Sequence, residues 1–216
     1  MKPRPSPRLT TAAAQWRDVE RLFGRPGEPS RCWCRYFALT GPEYSALDPA
    51  DRKEQLRQKF DGGSPAPGIL AYRDGQPVGW CAVEPRECYP RVLRSRVFRA
   101  AEAADRADAT LATAEAATPG ASGGVWAVTC FVVAAGHRRT GVAAALLRAA
   151  VDHARLHGAD VVEGYPVDRA QRPKAAAADL YHGMLGLFLD AGFDVVGTAV
   201  AGRAVVRLRL GGNPRQ

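Results

Sequence analysis

The chain has 216 residues, 46% of them hydrophobic, enough for one substantial core and with little room for a second domain. Thirty Lys plus Arg against 22 Asp plus Glu give a formal charge of +8, which favours polyanionic ligands. The basic residues are dispersed, with no basic helix interleaved with base-stacking aromatics, so no nucleic-acid module is recognisable.

No apolar run approaches the roughly 18 residues of a bilayer span, and Met1-Lys2-Pro3-Arg4-Pro5 lacks the apolar core of a signal peptide, so a soluble cytoplasmic protein is expected. The five cysteines, at positions 32, 34, 81, 88 and 130, lack the spacing of a disulfide framework and read as reduced thiols. Cys32-Trp33-Cys34 resembles half of a metal site, but no second Cys or His pair stands at zinc-finger spacing, and no metal is expected.

In chain order, Ala12, Trp16, Val19 and Phe23 share one helical face, which predicts a helix over 12–23 with Thr10 or Thr11 as N-cap and Gly24 as its stop. Cys32 to Phe37 reads as extended, with both sulfurs directed into a core. Asp48-Pro49 opens a second helix to about Phe60. Residues 69–73 and 78–83 flank Asp74-Gly75, whose preference for positive backbone dihedrals predicts a β-hairpin.

Beyond Glu84 the pattern dissolves. Residues of about 85–124 read as an insert, Ala-rich from Ala100 to Gly124, partly helical or mobile. Val125 to Val133 is apolar on both alternating faces, as a central strand requires: Val125, Ala127, Phe131 and Val133 on one, Trp126, Val128, Cys130 and Val132 on the other. A helix is predicted from Gly141 to His157, then a short strand at 161–163, which together suggest a parallel crossover. Leu180 to Ala191 reads as helix, and 195–200 and 204–210 as closing strands, the last with one wet face.

The chemistry is concentrated in Ala134-Ala135-Gly136-His137-Arg138-Arg139-Thr140-Gly141-Val142-Ala143, between the central strand and its helix. A helix N-terminus offers unpaired N–H groups and a positive dipole end to phosphate oxygens. Gly141 permits close approach, Ala143 keeps the first turn small, and Arg138 and Arg139 add charge-assisted donors. Neither the Gly-Lys-Ser/Thr ending of a nucleotide P-loop nor the three spaced glycines of a dinucleotide fold is present.

These residues resemble the GNAT superfamily of N-acetyltransferases, in whose motif a strand ending in Val runs into Gln/Arg-x-x-Gly-x-Gly/Ala. Val133 and Arg138-x-x-Gly141-x-Ala143 match it, and Phe188-x-x-x-Gly192-Phe193 precedes the final strands as in that family. The resemblance implies a single α/β (α+β) domain over 1–216, a mixed sheet flanked by helices and splayed between the 125–133 strand and the next. Acetyl-CoA, as co-substrate, would lie in that gap. Phe131, Val132 and Val133 would meet the pantetheine arm, and Arg138, Arg139, Thr140, Gly141, Val142 and Ala143 the pyrophosphate. The acceptor would be a small-molecule amine or a protein amino group attacking the thioester directly, with a backbone N–H near Phe131 as oxyanion donor.

The family commonly places a Tyr, as the acid for the departing thiolate, where this chain has Phe188; Tyr181, seven residues earlier, is the replacement considered. Glu163 and Glu84 are candidate general bases, with His182 behind them. Trp80, Trp126 and Tyr165 are candidates for an acceptor pocket, and Arg169, Arg172 and Lys174 for the 3′-phosphate. Two other readings stand beside the enzyme: a catalytically silent acyl-CoA sensor, and, on the +8 charge alone, a nucleic-acid-binding domain. Oligomeric state is open, with a homodimer among the options.

Overall fold

The structure, a computed structural model, describes residues 8–96 and 124–211 apart from positions 26, 28, 64, 175 and 201. Of the insert expected at about 85–124, residues 97–123 lie outside the described residues. Seven strands form one sheet in the order β1-β2-β3-β4-β5-β7-β6. They are β1 (Leu9–Ala13), β2 (Gly68–Arg73), β3 (Gln76–Pro85), β4 (Gly124–Val133), β5 (Ala159–Gly164), β6 (Asp194–Val200) and β7 (Arg203–Arg209). All neighbours are antiparallel except β4 and β5, whose parallel pairing comes from the crossover helix between them.

The helices are α1 (Trp16–Phe23), α2 (Pro29–Cys32), α3 (Gly41–Ala46), α4 (Pro49–Asp61), α5 (Pro90–Leu93), α6 (Val142–Leu156) and α7 (Leu185–Leu189). Strong local signals land where expected. Asp74 and Gly75 take φ of 51° and 72° at the β2–β3 turn, and the Asp48 carboxylate accepts the Ala50 and Asp51 N–H groups at the start of α4. Helix α6 covers one sheet face so closely that a Cβ on Gly79 would come within 2.7 Å of Val142 Cγ1. Its Leu146, Leu147 and Ala150 join Ile69, Cys81 and Val128 in the larger core. On the opposite face Val19, Phe23, Trp33 and Leu56 pack on Leu70, Trp80, Cys130 and Val132.

Four local expectations are corrected. The helix of 12–23 begins only at Trp16, with Gln15 as N-cap, because residues 9–13 pair with β2 as an edge strand. Cys32 to Phe37 is not extended: α2 ends at Cys32, and Trp33 and Cys34 turn the chain at φ of 46° and 49°, so Cys34 is buried while Cys32 is only partly covered. The helix of 180–191 is broken. Gly183, at φ 82°, divides a 3-10 turn at Ala177–His182 from α7.

The fourth correction concerns the faces of β4. Cys130 pairs with Ala82 and Val128 with Val83, so Thr129 is an extra residue bulged out of the ladder. Alternation reverses there, and Phe131 shares the α6 face with Trp126 and Val128 while Cys130 and Val132 face the other way. A strict period of two carried across residue 129 therefore assigns Phe131 to the wrong neighbours. Residues 86–94, at the start of the expected insert, form a 3-10 turn and α5, with Tyr89 and Val92 buried.

Candidate active site

Strand β4 delivers the chain into the expected phosphate turn. After Val133 a 3-10 turn over Ala135–His137 leads to Arg138 in an extended conformation, Arg139 at φ 59° and Gly141 at φ 81°, and α6 starts at Val142. The Thr140 hydroxyl donates to the His137 carbonyl at 2.7 Å, closing the turn on itself. No side chain caps Gly141, so the first N–H groups of α6, which have no intrahelical partner, remain available to an anion. Arg138, Arg139, Thr140 and Gly141 are all exposed. The Arg73 guanidinium stands 3.5 Å from the Thr140 carbonyl and hydroxyl oxygens and adds a third cation. A Cβ on Gly141 would meet nothing within 4 Å, so the positive φ, not crowding within the protein, is what calls for glycine here.

The splay is visible in the register. Parallel pairing of β4 with β5 runs only to Val128 opposite Gly164, so residues 129–133 have no β5 partner. The 3-10 turn at 177–182 approaches that free edge, and His182 Nδ1 lies 3.1 Å from the carbonyl of the bulged Thr129. Phe131 packs edge-on against Phe188 at 6.0 Å between ring centroids.

Beside the same stretch of β4 opens a cavity of about 720 Å³, with Cys130 and Val132 on its wall. The rest of the wall comes from α2 and the following turn, α3, α5 and the residues after it, Tyr165 just after β5, the 3-10 turn and the start of β7, including Tyr36, Arg91, Asp179, Tyr181, His182 and Arg203. Six segments far apart in sequence thus build it. The Cys34 and Cys130 sulfurs are 2.9 Å apart, and Trp80 Nε1 donates to Cys34 at 3.1 Å. Burial pushes the Cys34 thiol well up, which keeps it protonated and a poor nucleophile.

His182 is the polar group best placed at the gap. Burial, and then the positive field of Arg203, pull its pKa down to about 4, so the ring is neutral at physiological pH. With a carbonyl as partner, Nδ1 is the protonated nitrogen, which leaves the lone pair on Nε2.

The remaining site candidates divide between the cavity and the core. Tyr181 is half-buried and lines the cavity beside His182. Glu163 is fully buried away from it, accepting from the Tyr165 hydroxyl at 2.5 Å and Arg207 Nε at 2.6 Å, with Arg86 at 3.4 Å. Glu84 lies off the wall too, paired with Lys59 at 2.9 Å. Phe188 is fully buried over Gly164, where a Cβ would run into its ring.

Of the three aromatics considered for an acceptor pocket, Tyr165 lines the cavity, whereas Trp80 and Trp126 are core. Arg172 is tied to Asp179 at 3.1 Å, and Arg169 and Lys174 are exposed. Sequence reasoning missed Tyr36, Asp179 and Arg203, for which no local motif gives a signal. Among the described residues no cluster of His, Cys, Asp or Glu is placed to hold a metal ion, and no helix is long and apolar enough to cross a membrane.

Comparison with known proteins gives the same direction. The model of the acetyltransferase (GNAT) family matches residues 33–186, more than half of the chain. The yncA protein of Salmonella typhimurium, solved with its cofactor acetyl-CoA, is similar over 96% of each chain at 16% identity, with a TM-score of 0.50. A GCN5-related N-acetyltransferase from Kribbella flavida is similar over 94% of this chain and 98% of its own, at 20% identity and a TM-score of 0.51. At such identities the likeness speaks to fold alone. No curated protein sequence matches the chain. The turn at 138–143, the splay beyond Val128 and the family model over 33–186 converge on one assignment: the chain belongs to the GNAT family of acetyltransferases.

Proposed function

We propose that the protein is an acetyl-CoA-dependent N-acetyltransferase whose amine acceptor binds in the 720 Å³ cavity. One observation carries this reading. The free edge of β4 at 129–133 runs from the phosphate turn to the cavity wall, so one stretch of backbone serves both ligands. When bound, acetyl-CoA supplies an activated acetyl thioester. The N–H groups at 139–143, with Arg138, hold the pyrophosphate, and the backbone of Phe131 to Val133 orients the arm, with a donor near Phe131 for developing negative charge.

On the acceptor side, neutral His182 Nε2 accepts a hydrogen bond from the amine and orients its lone pair toward the thioester, and the proton released as the C–N bond forms passes to solvent water. Tyr181 donates a proton to the departing sulfur. Glu163 and Glu84, the carboxylates considered from sequence as bases, support the site through their ion pairs. Thiol release from acetyl-CoA across an amine panel tests the proposal: release that requires an amine supports it, and none from any amine, with CoA still bound, refutes it. That second result would favour a silent acyl-CoA sensor, a reading supported by the phenylalanine sealed in the core at position 188.

A further inference from the structure

The cavity wall is unevenly charged. Arg91, Arg94 and Arg203 stand on it, and Asp179 is its one carboxylate among the described residues. Asp179 is itself shared, since Arg203 and Arg172 both pair with it. The Arg91 guanidinium lies over the Tyr36 ring, 4.2 Å from its centroid, and donates to the carbonyls of Leu39 and Thr40 at 3.0 Å each. Its hydrogen-bond partners here are carbonyls, which bring no countercharge. Arg94 is exposed at the lip, and Glu43, whose carboxyl is held below the usual range chiefly by hydrogen bonds from Thr40, also feels its positive charge. His182 adds no charge at neutral pH, because burial and Arg203 keep it unprotonated.

Charges on a largely apolar, aromatic-lined wall are poorly screened, and a surplus of guanidinium over carboxylate is relieved by an anion entering with the ligand. The same field opposes cationic ligands. Guanidinium groups also hold carboxylates through paired charge-assisted hydrogen bonds.

From this we infer that the acceptor is an amine that also bears a carboxylate, an amino acid with an apolar or aromatic side chain, its carboxylate held by Arg94 and Arg203 and its side chain against Tyr36 and Tyr181. The inference rests on the cavity being the acceptor site. It excludes polyamines and lysine-rich segments, whose extra positive charges would meet the arginines.

The test is calorimetric binding of L-phenylalanine, phenethylamine and spermidine to the CoA-saturated protein, with thiol release from acetyl-CoA measured separately. Phenylalanine and phenethylamine differ only in the carboxylate. Phenylalanine should bind roughly 10- to 100-fold more tightly, as the loss of a charged hydrogen-bond partner implies, with spermidine weakest. Arg94→Gln should reduce that preference about tenfold. Arg203→Gln provides a second, interior variant should the exposed position prove too well hydrated to register. The inference is overturned if phenethylamine or spermidine binds as tightly as phenylalanine, if none of the three binds, or if neither variant lowers the preference. An arginine-dependent preference for phenylalanine without thiol release would leave this inference standing and remove the transferase reading alone.

Discussion

The two halves of the site are built on different plans. The proposed cofactor half is one continuous turn, residues 138–143, exposed from Arg138 to Gly141, at the start of a 15-residue helix. The proposed acceptor half is a cavity assembled from side chains of six separated segments, with a buried histidine and several arginines on its wall. A backbone site depends on conformation at one or two positions, and a side-chain site depends on the packing of everything behind it. The first should therefore fail locally and completely, and the second by degrees.

The largest effect expected is at Gly141. Gly141→Glu should abolish CoA binding, because a carboxylate at the pyrophosphate position adds like-charge repulsion worth several kcal/mol. Gly141→Ala separates conformation from charge. It pays about 1–2 kcal/mol for an L-residue at φ 81° but meets open space, so its Tm should drop while CoA still binds. Calorimetry on both variants checks this, and equal loss in the two would mean that backbone strain alone disables the turn.

On the acceptor side, Tyr181→Phe should lower kcat by about 10²–10⁴ with CoA affinity unchanged. Full kcat in a chemistry-limited assay would make Tyr181 a packing residue. Glu163→Gln should instead lower stability by about 3 kcal/mol, since it leaves Arg207 and Arg86 without their buried anion. Denaturant titration reads that loss. A stable Glu163→Gln protein with collapsed kcat would return Glu163 to the chemistry.

His182 supplies a pH signature. Its folded pKa of about 4 lies below the unfolded value of about 6.5, so the unfolded chain takes up a proton that the folded protein refuses. Its contribution, about 3 kcal/mol at most, is whole above pH 6.5 and is lost as pH falls towards 4. Denaturation midpoints between pH 7 and 4.5 should fall more steeply in the wild type than in His182→Gln, and parallel slopes would refute this. The smallest effect belongs to Arg138→Ala. Its exposed guanidinium should contribute only about 1 kcal/mol to CoA binding, measurable as a modest rise in Kd that high salt erases.

The same contrast explains what the sequence revealed. The conformation of the 138–143 turn, the Asp74-Gly75 hairpin and the Asp48 cap are local, since each needs only neighbouring residues to satisfy its backbone. The parallel crossover followed from strand, helix and strand in order. What escaped was set by distant partners. Residues 9–13 are a strand because β2 offers an edge, Thr129 is a bulge because β3 fixes the register around it, and residues 180–191 are cut at Gly183 where the chain reaches β4 and Val167. The cavity was least legible, because Tyr36, Asp179 and Arg203 meet only once the fold exists.

The central claim is that the turn and the cavity serve one reaction across the free edge of β4. A crystal structure of the protein with acetyl-CoA tests it most directly. The account predicts the pyrophosphate on the N–H groups of residues 139–143, the pantetheine arm along 131–133, and the thioester at the cavity beside Cys130 and His182. A nucleotide bound elsewhere, or a thioester directed away from the cavity, would contradict it.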